Sequence, residues 1–306
     1  MGKNTTNIST LKVGGSHSYY ELQLLHELVC IIKSQEQIKQ FTLICGKRFH
    51  TEIHGIISAL EVQKESLQEV IIEHCTCGAG FKELMNCKNL EILRIRYCND
   101  VRIFETKLNT LEITNFLINA SSIIQILEKS GSLLQRLKLE SMNGIIIEES
   151  LLLKTLKSFC PNITYLDISC TELSTQLLEL IGNLQNLQYF TLRSVWFINR
   201  IRKEELKIRV KKFAEILPLT LQYLDLRYSC LHSYIDILLN NCDVPLKNLL
   251  INCIDNEKTT NALIEFSKRK RTLNCVGVNS YCNRSLAKEM ERYFALVPSK
   301  CIIVNC

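Results

Sequence analysis

One apolar rhythm recurs along this chain: an apolar residue, two variable positions, an apolar residue, one variable position, an apolar residue. It starts at Ile38 (IKQFTLIC), Leu67 (LQEVIIEHC), Leu90 (LEILRIRYC), Leu108 (LNTLEITN) and Leu134 (LQRLKLES). It returns at Ile163 (ITYLDISC), Leu187 (LQYFTLRS), Leu221 (LQYLDLRYSC), Leu246 (LKNLLINC) and Leu273 (LNCVGVNS). The steps between starts run from 18 to 34 residues and average about 26, a period at which solenoid units stack. One further step predicts a degenerate last copy at Pro298 (PSKCIIVNC).

The last two apolar positions of the phrase lie one residue apart, the period of a strand with one buried face. Between phrases the period lengthens to that of a helix. Ile53, Ile56, Ile57 and Leu60 share one helical face, as do Leu177, Leu178, Ile181 and Leu184, where Ser174 is placed to cap the helix. Similar faces are expected at Tyr234–Leu239 and Thr260–Phe266. A single strand–turn–helix unit cannot bury its own apolar face, so neighbours must stack to make a continuous core. The predicted architecture is an α/β solenoid, a horseshoe with a parallel β-sheet on the concave face and helices on the convex face. Ten strands give an inner surface on the order of 45 Å long.

Two steps depart from the period. The longest holds a basic helix expected over Ile201–Leu217, and the shortest, before Leu108, has room only for a loop or a single turn. Residues 1–37 read as an N-terminal cap, a strand (TLKVGG) and a helix over Tyr19–Lys33. Residues 38–306 read as about ten to eleven repeats.

In each strand the residues flanking the second apolar position, and the one after the third, point into the hollow. Three consecutive units then set Tyr165, Tyr189 and Tyr223 in one column, Asp167, Thr191 and Asp225 in the next, and Ser169, Arg193 and Arg227 in the third. Tyrosine and arginine carry large contact area with a polar or charged end, which makes this a candidate recognition patch. The competing reading is that tyrosine merely suits an exposed strand position. A second cluster, Arg94, Arg96, Arg136 and Lys138 beside Glu140, suits an acidic peptide or a phosphate, or else a solvated face with local ion pairs.

Composition narrows the options. The chain has 306 residues, 46% of them hydrophobic and 22% charged, enough to bury a large core. No run is long and apolar enough to predict a membrane span, and the first residues do not resemble a secretory signal. Fifteen cysteines in a long chain with no such signal read as buried, reduced thiols rather than a disulfide scaffold. His74, Cys75, Cys77 and Cys87 raise a zinc reading, but close ligand pairs at two ends are missing, so structural thiols and no metal are expected. The basic run Lys268–Arg271 and the basic helix lack interleaved aromatics, which disfavours nucleic acid. No phosphate-binding, metalloprotease, nucleophile-elbow or dinucleotide signature is present. No enzyme activity and no cofactor are expected, and a cytoplasmic or nuclear location is.

The stretch FCPNITYLDISCTELSTQLLELIGN, Phe159–Asn183, resembles the cysteine-containing type of leucine-rich repeat. Cys75, Cys98, Cys170, Cys230 and Cys253 stand at or near the post-strand cysteine of that type. The wording is similar to fungal F-box/leucine-rich-repeat proteins over about residues 35–306. That resemblance implies a ribonuclease-inhibitor-like arc that holds a protein substrate. It also implies docking of an F-box to the Skp1 adaptor of a cullin ubiquitin ligase. Residues 1–37 carry no Leu-Pro start and are too few for an F-box, so Skp1 and cullin are partners only if an F-box lies upstream. The alternative is a stand-alone scaffold or inhibitor with no ligase link.

Overall fold

A computed structural model describes residues 7–14, 21–45, 53–75, 82–98, 107–115, 118–170, 172–193, 202–254, 256–281, 284–302 and 304. Twelve strands form one sheet: β1 (Thr10–Gly14), β2 (Gln40–Ile44), β3 (Glu69–Glu73), β4 (Ile92–Arg96), β5 (Thr110–Asn115), β6 (Arg136–Ser141), β7 (Tyr165–Ser169), β8 (Tyr189–Arg193), β9 (Tyr223–Asp225), β10 (Asn248–Ile254), β11 (Cys275–Tyr281) and β12 (Ala295–Pro298). Each pairs in parallel with its neighbours, and order in the sheet is order in the chain. The repeat therefore builds a solenoid. Two further strands, Ile118–Asn119 and Ile146–Ile147, make a short separate ribbon.

The apolar rhythm explains the register. Leu166, Phe190 and Leu224 sit side by side across β7, β8 and β9, and all are fully buried. On the far side of this core lie the helices. The helix Thr175–Asn183 buries Leu177, Leu178, Leu180 and Ile181, and the Ser174 hydroxyl accepts the Leu177 amide at 3.2 Å. Helices are about 10 Å wide but strands stack about 4.8 Å apart. The helical side is therefore the longer one, and the sheet becomes the inner wall.

The basic helix forms over Lys203–Ile216. It buries Leu206, Val210, Phe213 and Ala214, while Lys207 and Arg209 pair with Glu204 and Glu205 on its own surface. The run Lys268–Arg271 ends the helix Glu257–Lys270. There Arg269 donates to the carbonyls of Leu239 (2.6 Å) and Cys242 (3.0 Å), satisfying groups that the preceding helix end leaves unpaired. Cys75, Cys98 and Cys170 are buried at their post-strand places. Burial pushes the Cys160 thiol up to about 12 and that of Cys170 well above its ordinary value, so they behave as small apolar groups. Cys77, and residues 99–106 of the shortest step, lie outside the described residues.

One expectation is corrected. The last strand is Ala295–Pro298, not the stretch after Pro298. It begins twenty residues beyond the start of β11, with Ala295 opposite Cys275. Proline has no amide hydrogen to extend the ladder, and the chain turns there into a single 3-10 turn at Ser299–Cys301. The apolar residues Ile302 and Val304 are thereby freed from the sheet.

Candidate functional site

The inner face carries the three columns in register. Tyr165, Tyr189 and Tyr223 pair across β7–β9, and so do Asp167, Thr191 and Asp225. The tyrosine rings stand 6.4 and 6.0 Å apart, centre to centre, each pair tilted. Arg136 lies over the Tyr165 ring at 4.8 Å. Two of the rings are nearly covered, Tyr165 at 4% and Tyr223 at 3% exposure, and Tyr189 is half-buried. In the third column Ser169 and Arg193 are paired. Arg227 lies beyond the end of β9, where it folds back on its own strand.

The charges of the two sequence clusters meet in one network. In the central column Arg94, Glu112, Lys138 and Asp167 are register neighbours, alternating in sign. Arg96 holds Glu112 with two hydrogen bonds of 2.9 Å, and Arg94 pairs with Glu69 and Glu112. Lys138 lies 3.4 Å from Glu112 and 3.0 Å from Glu140. Arg193 donates two hydrogen bonds to Asp167, at 2.7 and 3.0 Å, and reaches Glu140 at 3.1 Å. Arg227 holds Asp225 in the same forked way. Arg94, Arg96, Arg136 and Lys138 therefore do not form an isolated basic patch, because Glu69, Glu73 and Glu112 lie among them.

Burial shapes the titration of this network. Burial alone would lower the Arg193 pKa, but the hydrogen-bonded Asp167 outweighs it and holds the guanidinium above its ordinary value. Burial raises the Asp167 carboxyl, with Arg193 and Lys138 opposing it. For Glu112 burial also acts upward, but the Arg96 hydrogen bonds and the charges of Lys138 and Arg96 win and hold it below its ordinary value. The stability Glu112 contributes is thus present above its unfolded-state pKa and lost as pH falls through its lowered folded-state pKa. Glu112→Gln should cost about 3 kcal/mol at pH 7. In urea melts from pH 7 down to pH 2.5, its gap from wild type should narrow as the wild-type carboxylate protonates. A gap that stays constant over that range would contradict the assignment.

A groove of about 550 Å³ runs along this face. Its wall includes Arg94, Arg96, Glu112, Lys138, Tyr165, Asp167, Thr191, Arg193, Tyr223, Asp225 and Arg227, and it is joined by Ser299, Lys300, Ile302 and Val304. Sequence reasoning missed three parts of this site. Glu112 was legible as the inward residue of LNTLEITN, but its unit is the irregular one. Tyr228, with Arg193 at 4.8 Å and Arg227 at 5.2 Å from its ring centre, is 47% exposed; it lies outside the phrase. The segment after β12 falls at the inward positions of the copy expected at Pro298, but it reaches the groove after turning out of the sheet rather than as a strand of it.

Among the described residues no helix is long and apolar enough to cross a membrane, and no group of three or more His, Cys, Asp or Glu is arranged to hold a metal ion. The solved structure of the leucine-rich repeat-containing protein LegL7 from Legionella pneumophila is similar to this chain. The TM-score is 0.54 and the identity 13%, with 94% of this chain and 89% of that one covered. The shared architecture is the leucine-rich-repeat fold. No protein-family model matches the chain, and no curated protein does.

Proposed function

We propose that this leucine-rich-repeat solenoid is a non-enzymatic protein-binding module that takes its partner on the concave face. The single observation that carries the reading is the register of the inner columns. Aromatic, acidic and basic side chains from successive units are aligned along one groove. The contact set comprises Tyr165, Tyr189, Tyr223, Asp167, Asp225, Arg193, Arg227, Arg94 and Arg96, with Tyr228 added. Because the charges are already paired with one another, a partner gains most from apolar contact and least from charge. Tyr189 and Tyr228 are the aromatics it reaches first.

In the finer reading the module selects targets for a Skp1–cullin–F-box ubiquitin ligase in the cytoplasm or nucleus. The second reading, a stand-alone scaffold or inhibitor, differs in one observable. Skp1 and cullin co-purify with the tagged chain in the first case and not in the second. For the site itself, Tyr189→Ala with Tyr228→Ala should weaken capture of the partner at least about 30-fold, with an unchanged far-UV circular dichroism spectrum. Capture at wild-type strength would remove the concave face from consideration.

A further inference from the structure

The inner face changes character between β9 and β11. Its central column continues from Asp225 to Leu250 and then Gly277, an aliphatic side chain followed by none. Leu250 lies on the face that carries charge in β4–β9, yet its exposure is 0%. The segment after β12 lies close beside it. A Cβ placed on Gly277 would lie 3.0 Å from Leu250 Cγ, 3.1 Å from Ile302 Cδ1 and 3.3 Å from Ser299 Cα. A side chain here would have to push its neighbours back by a few tenths of an ångström, so glycine lets the segment lie close against the strand. Ser299 Oγ hydrogen-bonds the Asn279 side chain, two residues along β11, and Ser299 is itself buried. Ile302 is extended, with φ −103° and ψ 102°. Ile302 and Val304 both line the groove that Tyr223 and Asp225 also line.

We propose that Ser299–Ile302, with Val304, is a built-in occupant of the end of the concave face, at the apolar seat beside the groove, and that a partner enters by presenting an extended segment with aliphatic side chains at alternate positions. This rests on the concave-face reading above and names both its regulation and the kind of partner it fits. The apolar seat at Leu250 and Gly277 explains the choice. A polar or charged segment would lose its hydration there without finding a hydrogen-bonding partner, whereas a β-branched side chain on extended backbone fills the space without strain.

The test uses the whole chain. Ile302→Asp with Val304→Asp puts two carboxylates at the apolar seat and should release the segment. The probe is a fluorescein-labelled peptide of residues 298–304 carrying Cys301→Ser, followed by anisotropy. The released variant should bind it at least about tenfold more tightly than wild type, whose apolar seat is already filled. A control peptide with Ile302→Asp should bind neither. Ile302→Ala with Val304→Ala, which adds no charge to a half-buried segment, should give a smaller gain in the same direction and serves if the acidic variant does not fold. Adding Gly277→Val to either variant should abolish the gain, because its branched side chain fills the seat. Equal peptide affinity for wild type and the released variants overturns the proposal, as does binding to none of them. If the peptide discriminates but the Tyr189→Ala, Tyr228→Ala chain still captures its partner, the concave-face reading fails alone. The opposite pattern removes only the occupant.

Discussion

Asp167→Ala is expected to destabilise the protein by about 3–5 kcal/mol, more than any surface change in the same column. Asp167 is nearly inaccessible, and both of its oxygens accept from Arg193. Arg193 cannot shed its proton, so deleting the carboxylate strands a cation whose side chain is largely covered. Glu140 remains at 3.1 Å but is already shared with Lys138. The cost is that of a largely covered charge that has lost its main partner, so removing the charge as well should recover most of it. Asp167→Leu combined with Arg193→Met is expected to fall within about 1 kcal/mol of wild type, since buried ion pairs are often replaced by apolar residues at little cost. Urea denaturation of wild type, Asp167→Ala and the double variant measures all three. A stable Asp167→Ala, or a double variant no better than the single one, would show that the network is not closed as described.

Phe190→Ala should cost a similar amount, about 3–5 kcal/mol, for a different reason. Phe190 is fully buried, lies between Leu166 and Leu224 in the register, and packs its ring 6.2 Å from that of Phe213 on the neighbouring helix. Its loss opens a cavity that neither flanking strand can collapse into, because both are held by backbone ladders. Each repeat contacts only its neighbours, so the damage should be local. Amide hydrogen exchange should quicken in β7–β9 and the helix Lys203–Ile216 and stay near wild-type rates in β2–β4. Uniform quickening along the whole sheet would mean that the arc unfolds as one unit rather than by neighbours.

The two residues mark where sequence reading succeeds and where it stops. Phe190 is legible because it occupies the second apolar place of the phrase, and the phrase repeats. The same reading placed Tyr165, Tyr189 and Tyr223 in one column and put Ser174 at a helix start. It named Asp167 and Arg193 as inward-facing but did not pair them, because Arg193 sits one strand along and in the next column. The alternating signs of Arg94, Glu112, Lys138 and Asp167 come from four repeats of unequal length, so no spacing along the chain announces them. Pro298 misled for a local reason: CIIV has the rhythm of a strand, but the residues before it, Ala295–Val297, had already paired with β11.

The repeat alone determined that this protein is a curved stack of strand–helix units, because alternating and helical periods each allow one way to bury their apolar side. Tertiary structure decided what the inner face offers. Stacking brings side chains from non-adjacent sequence within hydrogen-bonding range, where Coulomb attraction and shared desolvation select partners. It also leaves an apolar seat at Leu250 and Gly277, beside which Ile302 lies once the chain turns out of the sheet at Ser299–Cys301.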